Sequence, residues 1–201
     1  MKLTRRQLIK ALAILPIPAA VLTMESIASI AGAAVLLSPT PELPDDDDPT
    51  PSADEGPFFK PKSPKRSNLI EPGMKGEKVT VSGRIFNRKG EPVPEALVDI
   101  WHADAEGNYD NDGFRCRGHL FAGKDGTYKF EAVFPGLYPG RTRHYHVRVQ
   151  SANGPILTTQ LFFPNEPRND TDGIFKKALL MKIKQDKDRK VASFDFVLKL
   201  G

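Results

Sequence analysis

The sequence predicts an all-β fold, a β-sandwich of mainly antiparallel strands joined by long loops. From residue 78 onward, short segments with alternating polarity are rich in β-branched and aromatic residues, and glycine, proline and asparagine separate them. The chain has 201 residues, of which 39% are hydrophobic and 27% charged, a composition that can bury one core of ordinary size. These observations favour a sandwich and exclude a disordered chain.

Six segments are predicted as strands, in the order 79–87, 96–102, 127–132, 145–151, 156–163 and 191–200. The turn at 88–91 ends the first segment, and the tight-turn dipeptide Asp125-Gly126 precedes the third. The spacing of apolar residues over 172–183 predicts one short helix near the C-terminus.

Residues 1–34 have the pattern of a twin-arginine-type export signal. Arg5-Arg6 lies in a charged opening, an apolar run follows over 8–22, and small residues occupy 29–34. We therefore expect a periplasmic or extracellular protein with no stable membrane insertion once the signal is removed. An uncleaved anchor reaching to Leu37 is the alternative.

Two further regions follow the signal. Residues 35–54 are rich in proline and include the run Asp45-Asp46-Asp47-Asp48, which predicts an exposed linker or arm. Residues 55–201 are predicted to form the sandwich domain, in which the single cysteine, Cys116, is expected to be a buried structural thiol.

The charge distribution argues against a nucleic-acid partner. The formal net charge is +4, but the first 34 residues carry +3 of it, which leaves about +1 for the remainder. No extended basic surface is expected on the mature chain.

Histidine and tyrosine cluster in one part of the sequence. All four histidines and all four tyrosines lie between 102 and 146. In His144-Tyr145-His146, which opens a predicted strand, both imidazoles project to the same face and can share a metal ion. Tyr109 and Tyr138 lie in irregular segments able to turn inward, and phenolates are hard donors that favour iron(III). Tyr128 and Tyr145 lie in strands and are expected in the core.

An ordered set of motifs resembles the intradiol ring-cleavage dioxygenases, the family of protocatechuate 3,4-dioxygenase and catechol 1,2-dioxygenase, in an exported compact form. The resemblance covers roughly residues 55 to 165. Its motifs are Glu55-Gly56-Pro57-Phe58-Phe59, Gly90-Glu91-Pro92-Val93-Pro94-Glu95-Ala96, Ile100-Trp101-His102-Ala103-Asp104, Tyr109, Phe114-Arg115-Cys116-Arg117-Gly118, Asp125-Gly126-Thr127-Tyr128, Pro135-Gly136-Leu137-Tyr138, Arg141, His144-Tyr145-His146 and Thr159-Gln160-Leu161-Phe162-Phe163.

The resemblance implies an iron(III) centre on the sandwich, with its loops forming the active site. Its ligands would be Tyr109 with His146 and Tyr138 with His144, of which Tyr138 would be displaced by the substrate and assist in taking up its proton. The implied reaction consumes O2 and a small aromatic diol of the catechol type, incorporates both oxygen atoms and gives a muconate-type dicarboxylic acid. Arg141 would stabilise developing negative charge and Gln160 would hydrogen-bond within the site. Homo-oligomers are compatible with this reading.

The sequence departs from the family pattern at two places. Only six positions separate Tyr138 from His144, which implies a trimmed pocket loop and leaves the identity of the diol open. Phe58 and Phe59 occupy positions where tyrosines often occur in the family.

Two other functions stay open at this stage. A non-catalytic, prealbumin-like β-sandwich binding module would share the Pro92-Val93-Pro94-Glu95-Ala96 motif without needing a metal. A copper or zinc site could instead use the histidines, which are His102, His119, His144 and His146.

Overall fold

A computed structural model describes residues 48–200, which form two β-sheets packed face to face. The strands are β1 (Lys78–Asn87), β2 (Leu97–Trp101), β3 (Arg117–Phe121), β4 (Thr127–Val133), β5 (His144–Gln150), β6 (Ile156–Phe162), β7 (Lys182–Asp186), β8 (Arg189–Ser193) and β9 (Phe196–Leu198). The predicted all-β sandwich is confirmed.

The first sheet has five strands and is organised around β1. The order is β4-β1-β8-β7, and β9 also pairs with β1. β4 runs antiparallel to β1, whereas β8 and β9 run parallel to it, β8 beside the first half of β1 and β9 beside the last three residues. The N-terminal strand of this sheet is therefore bordered by the last two strands of the chain.

The second sheet has four antiparallel strands in the order β3-β2-β5-β6. Trp101 at the end of β2 is paired with His146, and His144 at the start of β5 is paired with Phe162 at the end of β6. Because the strands are antiparallel, the segments that follow β2, precede β5 and follow β6 all meet at one end of this sheet. That end carries the candidate site.

The core lies between the sheets and is built from apolar side chains that alternate along the strands. Phe130 and Phe196 are nearly inaccessible to solvent, and full burial of such a side chain contributes about 1.5–3 kcal/mol. Tyr128 and Tyr145 also lie in this core, where their hydroxyls donate hydrogen bonds to the carbonyls of Phe194 and Val133. The prediction that these two tyrosines are core residues is confirmed.

Two strands were not predicted, and one predicted strand is divided. β3 contains Gly118 and His119, and β7 has the sequence KIKQD with a single partly buried apolar residue, so neither shows the alternation typical of a half-buried strand. The last predicted strand, 191–200, is interrupted between β8 and β9.

The predicted helix over 172–183 is reduced to one turn of 3-10 helix at Lys177–Leu179, and a second such turn lies earlier, at Pro167–Asp170. The apolar residues that suggested a helix instead pack individually against the end of β6. Phe175 contacts the ring of Phe162, and Leu180 forms a parallel bridge with that residue. The N–H groups of Phe175, Leu179 and Leu180 donate to carbonyls three residues earlier, so the segment forms separate turns instead of a continuous helix.

The described part of the predicted linker, residues 48–54, is hydrogen-bonded to the sandwich. The Thr50 N–H donates to the carbonyl of Val197 at 2.9 Å, and the Ala53 N–H donates to that of Thr158 at 3.0 Å. Residues 48–54 of the predicted exposed linker or arm have no strand or helix and are docked on the sandwich.

Residues 1–47 and 201 lie outside the described part of the chain. The expected export signal and most of the acidic run fall there. Across residues 48–200, no helix is long and apolar enough to cross a membrane.

Candidate metal centre

Two buried imidazoles meet at the start of β5. His144 and His146 project to the same face of the strand, and their Nε2 atoms are 3.0 Å apart. Nδ1 of His144 lies 2.7 Å from the carbonyl of Thr142, an acceptor, so it carries the proton and Nε2 presents its lone pair. The backbone just before β5 thus sets the tautomer of this side chain.

Both histidines are neutral at pH 7. Burial lowers the pKa of His144 to about 4, and burial together with the neighbouring His144 lowers the pKa of His146 well below its ordinary value. Trp101 lies parallel to the ring of His146, with ring centroids 4.9 Å apart. Nδ1 of His146 is buried and has no hydrogen-bond partner among the described residues. This face therefore offers two imidazole nitrogens without a positive charge.

Tyr109 completes a cluster of three donor groups. It lies in the segment after β2, and its hydroxyl is 3.5 Å from Nε2 of His144. Phe58 stacks on its ring at a centroid distance of 4.3 Å, and burial raises the pKa of the phenol well above its ordinary value. Burial outweighs the nearby Arg141 and Arg117, so the hydroxyl stays protonated, whereas a metal ion bound to it would favour the phenolate.

Tyr138 lies at the edge of the same cluster. Its ring contacts the rings of Tyr109 and Phe58 edge-on, with centroids 5.9 and 5.4 Å away. The side chain is half-buried and sits in the irregular segment between β4 and β5. The structure thus brings Tyr109, Tyr138, His144 and His146 together at one end of the second sheet.

Two glycines allow the two tyrosine segments to approach each other. A Cβ on Gly136 would lie 2.2 Å from the amide nitrogen of Gly107, and a Cβ on Gly107 would lie 2.5 Å from the carbonyl oxygen of Leu137. Gly107 also has a φ of +91°, which favours glycine. A hydrogen bond from Gly136 N–H to the carbonyl of Asp104 fixes this contact.

Arg141 and Gln160 are joined by a hydrogen bond beside this cluster. Nη2 of Arg141 donates to Oε1 of Gln160 at 2.6 Å, and Nε2 of Gln160 donates to the carbonyl of Asp54 at 2.6 Å. Gln160 lies on β6, opposite His146 in the register. The arginine side chain is 14% exposed, so its charge is largely shielded from water.

Asp172 holds Arg141 from the other side, a role that no motif in the sequence predicts. Its Oδ2 accepts hydrogen bonds from Nε of Arg141 at 2.9 Å and from the Thr142 N–H at 2.8 Å. Burial alone would raise the pKa of this carboxyl, but these bonds and one from the Ile174 N–H outweigh burial and lower it below its ordinary value. Asp172 is thus an anion that fixes the segment leading to His144.

The four-histidine site for copper or zinc is not formed. His102 packs edge-on against Tyr145, and its Nδ1 lies 2.8 Å from the carbonyl of Ala103, while Nδ1 of His119 lies 2.8 Å from the carbonyl of Ser63. Among residues 48–200, no three histidine, cysteine, aspartate or glutamate side chains are grouped to hold a metal ion. Any metal at this end of the sheet would depend on tyrosine oxygens.

The donor set fits a hard, highly charged metal ion. Two neutral imidazole nitrogens and a phenol oxygen converge, a second phenol lies within the cluster, and no carboxylate or thiol competes with them in this group. Phenolate oxygen suits a hard cation, and imidazole suits iron among the transition metals. The fold and the cluster together define a β-sandwich protein with a tyrosine- and histidine-lined centre.

Comparison with known proteins identifies the family. The family model described as Dioxygenase matches residues 54–200, so the chain belongs to the intradiol ring-cleavage dioxygenases. This assignment confirms the resemblance and argues against the prealbumin-like binding module.

Individual relatives agree with this assignment. The dioxygenase domain of a dioxygenase carbohydrate-binding protein fusion from Streptomyces sp. SirexAA-E is 49% identical, with 77% of this chain and 100% of that chain covered and a TM-score of 0.75. An intradiol ring-cleavage dioxygenase from Tetranychus urticae is 25% identical, with 76% and 95% covered and a TM-score of 0.70.

The chain matches only part of its curated relatives. Hydroxyquinol 1,2-dioxygenase from Nocardioides simplex is 32% identical over 144 residues, which are 60% of this chain and 49% of that protein. The chain spans about half the length of such relatives.

Proposed function

We propose that this protein is a non-haem iron(III) dioxygenase that cleaves a catechol-type aromatic diol between its two hydroxylated carbons, incorporating both atoms of O2 to give a muconate-type dicarboxylic acid. The observation that carries the proposal is the convergence of the Tyr109 hydroxyl and the Nε2 atoms of His144 and His146, with Tyr138 alongside. Membership of the intradiol family supports it.

Four residues of the chain would hold the iron. His144 and His146 would bind through Nε2, and Tyr109 and Tyr138 through their phenolate oxygens. The low pKa values of the histidines favour ligation, because a protonated imidazole has no lone pair to donate. Bound iron(III) would supply Lewis acidity and would draw electron density from a coordinated diol, which prepares the ring for reaction with O2.

Tyr138 is the residue best placed to receive a proton from the incoming diol. Tyr109 is sandwiched against Phe58 and lies beside His144, whereas Tyr138 is half-buried on an irregular segment and is contacted at ring edges. Its phenolate oxygen would accept a proton from a diol hydroxyl as the diol enters. Tyr109 would remain a ligand of the iron together with the two histidines.

Arg141 would stabilise negative charge that develops on the ring-derived oxygen atoms. Asp172 holds Nε and Gln160 holds Nη2, so the guanidinium is fixed before substrate binds. A positioned cation shielded from water stabilises developing charge more strongly than a solvated one. Gln160 would keep this orientation while its own amide stays bonded to Asp54.

The substrate class follows from the reaction, but the particular diol does not. The curated relatives are named for hydroxyquinol, chlorocatechol, catechol and protocatechuate. We propose that the substrate is a small aromatic diol of this group. The protein would act in the periplasm or outside the cell after export, as a monomer or a homo-oligomer.

The test is the visible spectrum of the iron-loaded protein with and without catechol under anaerobic conditions. Tyrosinate bound to iron(III) is expected to give a broad visible band that shifts when catechol binds. Tyr138→Phe should alter the band, whereas the control Tyr128→Phe should leave it unchanged, because Tyr128 is a core residue bonded to Phe194.

Turnover is then measured after oxygen is admitted. Consumption of one O2 per diol, with a dicarboxylic acid as product, supports the proposal. A protein that stays colourless after iron reconstitution and consumes no O2 with catechol, hydroxyquinol or protocatechuate would contradict it.

A further inference from the structure

Arg117 is a buried cation close to the centre. It is the first residue of β3, and its side chain is among the largest in the chain that solvent hardly reaches, with 1% of the residue exposed. Nε and Nη2 of its guanidinium both donate to the carbonyl of Asp110, at 3.1 and 2.9 Å, and Nη1 donates to the carbonyl of Phe58 at 2.6 Å. Three of its donors thus bond to backbone oxygens.

The two carbonyls that Arg117 binds belong to residues that adjoin Tyr109, one along the chain and the other in space. Asp110 follows Tyr109 directly in the chain, and Phe58 stacks on the Tyr109 ring with an interplanar angle of 15°. The Arg117 guanidinium therefore links the backbone next to Tyr109 to the backbone of Phe58. The two bonded residues, Asp110 and Phe58, are 52 positions apart in sequence. Lys60 links the same segments farther from the phenol, because its Nζ donates to the carbonyls of residues 111, 112 and 113.

The charge of Arg117 has no ion-pair partner among the described residues. The carboxylate of Asp110, whose backbone carbonyl Arg117 binds, instead accepts hydrogen bonds from the backbone N–H groups of residues 112, 113 and 115. A buried cation without a counter-ion is unfavourable for stability alone. Such a residue is better explained by a role beside a site that carries negative charge, such as phenolate oxygens and a diol.

We propose that Arg117 is a positioning residue that holds Tyr109 at the centre by clamping the Phe58 and Asp110 backbones together. The inference rests on the proposed function for its consequence in catalysis, but the clamp itself exists in the metal-free protein. Without Arg117, the Phe58 and Asp110 carbonyls lose these hydrogen bonds, the stacking of Phe58 on the Tyr109 ring loosens, and the phenol loses its fixed distance to His144.

Arg66 provides a matched control, because its side chain bonds to the backbone beside Arg117. Its Nε donates to the carbonyl of Arg117 at 2.9 Å, its Nη2 to that of Phe114, and its Nη1 to the Glu71 carboxylate. Arg66 therefore makes three side-chain hydrogen bonds, as Arg117 does, but none to Phe58 or Asp110. Replacing it removes comparable hydrogen bonds without releasing the clamp.

The experiment compares Arg117→Met and Arg117→Lys with Arg66→Met and Arg66→Lys. The first readout is the near-ultraviolet circular dichroism of the metal-free proteins, which reports the packing of the aromatic side chains, Phe58 and Tyr109 among them. The second is the affinity for iron and the intensity of the visible band per bound iron. Unfolding temperatures are measured for all four variants, and the lysine pair decides the outcome if the methionine variants do not fold.

The Arg117 variants are expected to lose near-ultraviolet signal and to bind iron about 10- to 100-fold more weakly, as when an outer partner of a metal ligand is removed. Loss of one of two phenolate donors should lower the band intensity about twofold. The Arg66 variants should match the wild type in both readouts even where they are less stable.

Equal changes in the Arg66 and Arg117 variants, or an unchanged near-ultraviolet spectrum in Arg117→Lys, would overturn the clamp. If the wild-type protein binds no iron, the proposed function fails, and the near-ultraviolet comparison still decides the clamp on its own.

Discussion

Gly107 and Gly136 hold the two tyrosine segments in backbone contact, because a side chain on either residue would collide with the opposite segment. A Cβ at position 136 would lie 2.2 Å from the Gly107 nitrogen, closer than any real contact of that kind. The separation of Tyr109 and Tyr138 is therefore set by two glycines, which have no side chain that could bind a metal ion or a substrate.

The first prediction concerns Gly136→Ala. The added methyl must push the segments apart, which should destabilise the protein by about 1–3 kcal/mol and lower kcat by about 100-fold through misplacement of a reacting group. Steady-state O2 uptake and urea unfolding measure the two effects. Gly173→Ala is the control, because a Cβ at Gly173 meets nothing within 4 Å. Equal kinetics in both variants would show that the glycine contact does not position the site.

The second prediction concerns Asp172, which fixes Arg141 and the Thr142 N–H. Asp172→Ala leaves the largely buried guanidinium without its partner and should destabilise the protein by about 3–5 kcal/mol. Asp172→Asn should be milder in stability but should still lower kcat/KM, because a neutral amide orients the arginine less firmly. Chemical denaturation and initial rates are the measurements, with the exposed Asp170→Asn as control. Wild-type kcat/KM in both Asp172 variants would exclude the role.

The third prediction is a pH dependence that comes from His102. Burial lowers the pKa of His102 to about 4, whereas the unfolded chain takes up this proton near pH 6.5. The unfolded state therefore binds more protons between these values, and stability present above pH 6.5 is lost as the pH falls through this window, by about 3 kcal/mol for this residue.

Urea unfolding of the metal-free protein at pH 7 and pH 4.5 tests this. His102→Gln, which cannot titrate, should lose less stability on acidification than the wild type. The same acid loss in both proteins would assign the effect to other groups.

The fourth prediction concerns Cys116. Burial raises the pKa of this thiol to about 12, and the residue is 2% exposed. We expect it to react with a thiol reagent only after unfolding, so that the labelling rate follows the denaturant concentration. Rapid labelling of the native protein at pH 7 would be inconsistent with the buried position.

The fifth prediction concerns the export signal. Replacing Arg5 and Arg6 with lysine should leave the protein in the cytoplasm of a host that has the twin-arginine pathway, as measured by cell fractionation. The unchanged sequence serves as the control. Equal export of both forms would indicate an ordinary secretory route.

The sequence predicted the fold class because the alternation of β1, β4, β5 and β6 is strong, and each is half-buried or fully buried in the structure. It missed β7 because only Ile183 in that strand contributes to burial, so its extended form depends on pairing with β8. The prediction of a helix was wrong because the spacing of apolar residues over 174–180 fits both a helix and a segment that lies along the end of β6.

The sequence predicted only part of the candidate site. Strand alternation placed His144 and His146 on one face, and the clustering of histidine and tyrosine pointed to Tyr109 and Tyr138. Asp172 and Arg117 could not be found, because their roles depend on contacts between segments 30 to 60 positions apart. The stacking of Trp101 on His146 was easier to anticipate, because these two residues are paired on neighbouring strands.

The pairing of β1 with β8 and β9 has a consequence for how the chain acquires its structure. The central strand of the first sheet starts at residue 78, but its parallel partners on β8 and β9 lie 111 positions later in the sequence (Lys78 with Arg189, Ile85 with Phe196). Parallel pairing across such a separation gives a high contact order, which slows folding. A nascent chain that still lacks Phe196–Leu198 leaves part of β1 as an open edge, so the first sheet is complete only after these residues have been synthesised.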